Sequence, residues 1–122
     1  MTIRPGILKP WIPAFLWMVL IFALSSIPGE DIPQVDILYI DKFTHLIEFT
    51  ILGILLVRAF LNSHPHILVI KMIILSILIA SLYGIIDELH QHFIPGRTFD
   101  ILDLLFDFAG ASIGVLAYGK RR

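Results

Sequence analysis

The 122 residues contain no cysteine. That removes disulfides and thiolate metal ligands together. Charge is scarce: Asp, Glu, Lys and Arg make up 16% of the chain, against about 25% in ordinary soluble proteins. There is no glycine loop to cradle a phosphate and no H-E-x-x-H metal signature. No basic face suited to nucleic acid is present. Runs that alternate apolar and polar residues are also missing, which argues against the strands of a membrane barrel.

What fills the space is hydrocarbon. Apolar residues are 57% of the chain and the mean hydropathy is +0.89, so the surface is built to face lipid. A helix needs about 20 apolar residues to cross a bilayer. Four segments meet that need, at roughly 11–26, 43–61, 67–86 and 101–118. Pro28-Gly29, Pro33, Pro65 and Pro95-Gly96 punctuate the connections. The expected fold is an all-α bundle of four transmembrane helices forming one domain over residues 1–122. The first segment also has the grammar of a cleavable signal, with Arg4 and Lys9 ahead of it and Ala23-Leu24-Ser25 at its end. Its bulky Trp11, Phe15, Trp17 and Phe22 favour a retained helix instead.

Charge placement orients the bundle. With four spans, Arg4, Lys9, Arg58, Lys71, Lys120, Arg121 and Arg122 share one membrane side, and only Lys42 and Arg97 fall on the other. The positive-inside rule then puts both termini in the cytoplasm. All ten acids belong to the outer loops or the outer halves of the helices: Glu30, Asp31, Asp36, Asp41, Glu48, Asp87, Glu88, Asp100, Asp103 and Asp107.

Several of these acids recur at helical spacing. Asp41, His45 and Glu48 form one stripe on the second helix, and Asp100, Asp103 and Asp107 form another on the fourth. Asp87, His90 and Gln91 share a face of the third helix if that helix continues past Ile86. Carboxylates inside a membrane are costly and must face the bundle interior or a wet cavity. Three stripes at one depth point to a shared pocket that opens outward.

In that pocket His45, Glu88 and Asp103 are the candidate catalytic groups, as a general acid and base. Asp41, Lys42, Gln91, Arg97 and Asp100 are candidate ligand-binding residues, with Lys42 and Arg97 suited to an anionic group. Asp103 and Asp107 are candidate ligands for a divalent cation. Each also has a plainer reading, because polar side chains lock transmembrane helices together. Gly110 and Gly114, like Gly53 and Gly84, read as places for close helix packing.

"DKFTHLIEFTILG" (Asp41–Gly53) followed by "GIIDELHQHFIPGRTFDILDLLFDFAGASIG" (Gly84–Gly114) resembles the VanZ-like family. The shared pattern falls on Asp41, Lys42, His45, Phe49, Gly53, Glu88, Gln91, Phe93, Pro95, Arg97, Asp100, Asp103 and Gly110. "FALSS" (Phe22–Ser26) is also family-like. Many members carry Asn at the position of Asp107, and Glu48 lies outside the pattern. The resemblance implies a small integral protein of the bacterial cytoplasmic membrane, active in the cell envelope. Its founding member is associated with low-level resistance to the glycopeptide teicoplanin.

Three functions are therefore in view. The first is binding of, or action on, a cell-wall or lipid-headgroup ligand. The second is transport of protons, ions or a lipid through an oligomer, against which stands the apolar inner half of the bundle. The third is a structural membrane protein whose polar cluster only fixes the fold. Partners beyond the lipid bilayer, and the oligomeric state, are not encoded in any pattern of the sequence.

Overall fold

The computed structural model describes residues 5–29 and 40–120. Arg4, Arg121 and Arg122, and the connection carrying Glu30, Asp31, Pro33 and Asp36, lie outside the described residues. Among those described there is helix and no strand. A short helix α1 (Pro5–Leu8) and a 3-10 turn (Lys9–Trp11) lead into α2 (Ile12–Ser25). Then come α3 (Ile40–Ser63), α4 (Val69–His92) and α5 (Ile101–Gly119). Four stretches are long and apolar enough to cross a membrane: Gly6–Ser25, Ile40–Ser63, Val69–His92 and Ile101–Gly119.

The helices differ from the sequence expectation mainly at their polar ends. The second span begins at Ile40, ahead of Phe43, and the third continues to His92, beyond Ile86. Hydropathy stops where charge begins. A helix does not, provided its polar residues have somewhere to point. At this end α4 keeps Asp87, Glu88 and Gln91 buried.

The packing order explains the rest. α3 is the most enclosed span and α2 the least. Phe49, Leu52, Leu56 and Val57 of α3 meet Met72 and Ala80 of α4 and Ala111 and Val115 of α5 to form the core. The opposite faces carry large apolar side chains outward, including Ile74, Leu78 and Leu82 of α4 and Leu105 and Ile113 of α5. Such a surface suits lipid, where association depends on close van der Waals packing rather than on escape from water.

α3 and α5 run parallel and approach closely. A Cβ at Gly114 would strike the Thr50 carbonyl, and one at Gly110 would strike the Leu46 carbonyl. Gly53 answers from α3, where a Cβ would lie 2.6 Å from the Ala111 oxygen. The expected small-residue packing is therefore a seam between α3 and α5. α2 is tied to the bundle by two side chains at mid-depth. The Trp17 indole donates to the Glu48 carbonyl at 2.9 Å, and the Tyr83 hydroxyl donates to the Met18 carbonyl.

α4 and α5 are joined by a tight turn. Arg97 N–H donates to the Ile94 carbonyl at 3.1 Å across Pro95 and Gly96. Gly96 has φ of 78°, the conformation that a type II turn requires at its third residue and that glycine adopts without strain. Asp100 then caps α5: its Oδ1 accepts from Leu102 N–H at 2.9 Å.

Candidate functional site

The polar residues gather at the end of the bundle where α2 and α4 finish and α3 and α5 begin. Two sub-clusters lie side by side. The first is centred on Lys42, whose side chain is buried. Its Nζ donates to Asp41 Oδ2, Asp100 Oδ2 and Asp103 Oδ1, each at 2.7 Å. All three ammonium hydrogens thus have carboxylate partners. Asp103 is the enclosed one, while Asp41 and Asp100 open towards the surface. Hydrogen bonding to Lys42 holds the Asp100 carboxyl below the usual aspartate range.

The second sub-cluster lies one turn deeper on α3 and α5. His45 Nδ1–H donates to Asp107 Oδ1 at 2.7 Å. That bond fixes the ring, so Nε2 faces Glu88 Oε1 and Asp103 Oδ2, each at 3.7 Å. Those gaps are too long for hydrogen bonds. Glu88 is fully buried. Its Oε2 accepts from Asp100 N–H at 3.3 Å, and its Oε1 accepts from the Gln91 amide at 3.0 Å. Asp107 Oδ2 is buried with no hydrogen-bond partner among the described residues. Gly84 makes room for it, since a Cβ there would lie 2.9 Å from that oxygen.

One atom each from His45, Glu88 and Asp107 lies within 4.8 Å of the other two, close enough to share a metal ion. The expected pair of cation ligands was Asp103 and Asp107. Asp107 belongs to this group, whereas Asp103 Oδ1 is engaged by Lys42.

Arg97 stands at the edge. Its Nε and Nη2 donate to the carbonyls of Ile27 and Leu24, each at 3.0 Å, and its Nη1 donates to the Gln91 amide oxygen at 3.3 Å. It therefore caps the end of α2, whose last carbonyls have no partner within the helix, and ties α2 to the turn after α4. Gly29 N–H adds a second tie to the Pro95 carbonyl at 2.8 Å.

The face expected to carry Asp87, His90 and Gln91 divides. Glu88 and Gln91 turn towards α3 and Arg97. His90 turns the other way, donating from Nε2 to Ser26 Oγ at 2.8 Å, because the Ser26 hydroxyl itself donates to the Phe22 carbonyl. The His90 ring stacks on Phe22 at 4.1 Å between centroids. Asp87 is buried beside Ser25 without a well-formed hydrogen bond among the described residues. The helix end is enclosed on both sides, so residues 100° apart are both interior.

Glu48 is half-buried, and its carboxylate makes no hydrogen bond or ion pair among the described residues. The sequence spacing gave Ser26, Trp17 and Tyr83 no place in the site or in tying the helices together. Their bonds run to backbone carbonyls or to a distant helix, which no local spacing records.

The match to known proteins rests on this framework. The VanZ/LLP1 family model matches residues 10–120, nearly the whole chain. The chain belongs to the VanZ-like family. The matched span includes every residue of both sub-clusters. No curated protein and no solved structure matches it.

Proposed function

We propose that this VanZ-like protein binds, and acts on, a cell-envelope ligand at the polar end of its bundle. In this reading that end faces outward from the bacterial cytoplasmic membrane, with both chain termini in the cytoplasm, as the distribution of Lys and Arg favours. His45, Glu88 and Asp103 exchange protons with the ligand. Asp41 and Asp100 form the mouth.

One observation carries the reading. A buried imidazole is held from behind by Asp107 and presents Nε2 to two carboxylates that it does not reach, at 3.7 Å each. Helix packing alone gains nothing from that gap. A base oriented by a carboxylate and aimed at open acceptors is the arrangement that proton transfer uses.

Charge narrows the ligand. Lys42 already faces three aspartates and Arg97 is engaged by backbone carbonyls. The remaining carboxylates share the one imidazole of His45 and have no Lys or Arg of their own among the described residues, and buried charge without a partner is costly. The ligand that suits them brings hydrogen-bond donors or positive charge, as an amine-bearing or hydroxyl-rich headgroup does. A divalent cation between His45, Glu88 and Asp107 would serve the same balance. Lys42 and Arg97 then hold the walls, and an anionic part of the ligand meets only the outer edge of Arg97.

Mass spectrometry of lipids and metals retained by the protein in mild detergent tests this reading. We expect a bound species on the wild type that Glu88→Gln and Asp103→Asn lose without unfolding. The same variants should lose any teicoplanin tolerance that the wild-type gene confers on a susceptible host. Folded variants that retain the same bound species and the same tolerance would overturn the reading. They would leave the cluster a purely architectural role.

A further inference from the structure

The opposite end of the bundle has the reverse charge. No Asp or Glu occurs in residues 5–29, 49–86 or 108–120. A groove of about 460 Å³ opens there between the N-terminal segment and α3, lined by Gly6, Lys9, Pro10, Pro13, Arg58 and Asn62 among others. Neither Lys9 nor Arg58 makes an ion pair among the described residues. Two cations thus line one groove with no counter-charge among the described residues.

The wall is fixed. Trp11 packs edge-on against Phe60 at 4.8 Å between ring centroids, which holds the N-terminal segment to α3 beside Arg58. Pro10 and Pro13 stiffen that segment and offer no backbone N–H, so an anion here is met by side chains. Gly6 leaves the mouth open, since a Cβ there would meet nothing within 4 Å. Arg58 lies five residues before the end of α3 at Ser63, about 7–8 Å along the axis. That is the depth of the headgroup layer rather than of bulk water.

We propose that this groove binds the phosphate of an anionic membrane lipid between Lys9 and Arg58, in the leaflet opposite the carboxylate cluster. Charge complementarity and depth select the occupant. A basic niche between helices at headgroup level attracts anionic headgroups, and guanidinium is well matched to phosphate. The apolar sides of Pro10, Ile12 and Pro13 lie along the path of the glycerol and the upper acyl chain. This site does not depend on the reading of the carboxylate end.

The test uses the full chain in mild detergent, with native mass spectrometry and tryptophan fluorescence as readouts. The probes are short-chain phosphatidylglycerol, phosphatidylcholine and inorganic phosphate. We expect phosphatidylglycerol to bind about tenfold more tightly than phosphatidylcholine, and inorganic phosphate to compete only in large excess. Lys9→Gln with Arg58→Gln should abolish the preference. Gly6→Leu should weaken phosphatidylglycerol binding by filling the groove while leaving every charge in place, and it serves alone if the double variant does not fold. Equal binding of the two lipids by the wild type would overturn the proposal. So would unchanged phosphatidylglycerol binding in folded variants, or competition by inorganic phosphate at equal concentration.

Discussion

Removing the Lys42 ammonium while keeping its apolar stem, as in Lys42→Met, should be among the most damaging single changes at the carboxylate end. The three partners do not contribute equally. The side chains of Lys42 and Asp103 are 7% and 8% exposed, whereas those of Asp100 and Asp41 are 38% and 61% exposed. Loss of the ammonium lets Asp41 and Asp100 rehydrate, at a cost of no more than about 1 kcal/mol each. Asp103 cannot turn to water. It is left as a buried charge with only the His45 ring nearby, at 3.7 Å, close to the situation that costs about 3–5 kcal/mol.

The double variant is the sharper measurement. Lys42→Met with Asp103→Asn removes both members of the buried pair and should recover roughly 1–3 kcal/mol relative to Lys42→Met alone, the range of coupling for residues in direct contact. Lys42→Met with Asp41→Asn should recover less than about 1 kcal/mol, because Asp41 is already wet. The assay is reversible unfolding in mixed micelles with a rising fraction of denaturing detergent, followed by far-UV circular dichroism. A Lys42→Met protein within about 1 kcal/mol of wild type would refute the reasoning. So would equal rescue by Asp41→Asn and Asp103→Asn.

Further predictions follow from the same contacts. Gly114→Ala should cost about 1–3 kcal/mol in the same unfolding assay, because its methyl group meets the Thr50 backbone, while Gly6→Ala should stay within about 0.5 kcal/mol of wild type. Gly96→Ala forces a left-handed residue and should cost about 1–2 kcal/mol. Asp100→Ala removes the α5 cap and a Lys42 partner, and its cost should exceed the roughly 1 kcal/mol typical of a cap alone. Asp107→Ala should release the His45 ring from its Nδ1–H tautomer, seen as a change in its two ring-nitrogen shifts by ¹⁵N NMR. Unchanged shifts would mean that another group orients the ring.

The four spans and their polar stripes were legible because helical periodicity and hydropathy act locally. Asp41 and His45 lie one turn apart wherever the helix is placed, and the same holds for Asp103 and Asp107. Three features were not legible. The continuation of α4 to His92 depends on α2 enclosing its far side, which the sequence of α4 does not contain. The saturation of Lys42 depends on the register of α5 against α3. Arg97 looked like an anion clamp because it and Lys42 are the two cations on the acidic side and a guanidinium donates in pairs, yet it reaches back to carbonyls of Leu24 and Ile27, more than 60 residues earlier. Periodicity states which side of a helix is buried. It does not state what lies opposite.

That register is set away from the charges. Leu46 and Thr50 of α3 meet Gly110 and Gly114 of α5 through backbone contact, which leaves almost no freedom to slide. One turn towards the helix starts, the same parallel alignment places His45 against Asp107 and Lys42 against Asp103. Ion pairs between long side chains tolerate small shifts. A Cβ pressed against a carbonyl oxygen does not. The glycine seam is therefore the precise element and the polar cluster is aligned by it. A methyl group at Gly114 should disturb the Nδ1–H signal of His45 about 10 Å along the helix axis, even though it adds and removes no polar group. Gly84 acts at closer range, since its missing side chain leaves the space that the Asp107 carboxylate occupies. Gly84→Ala should shift the His45 resonances without opening the seam. If Gly84→Ala and Gly114→Ala both left His45 unchanged, the cluster would have to hold its own geometry, and the direction of control would be reversed.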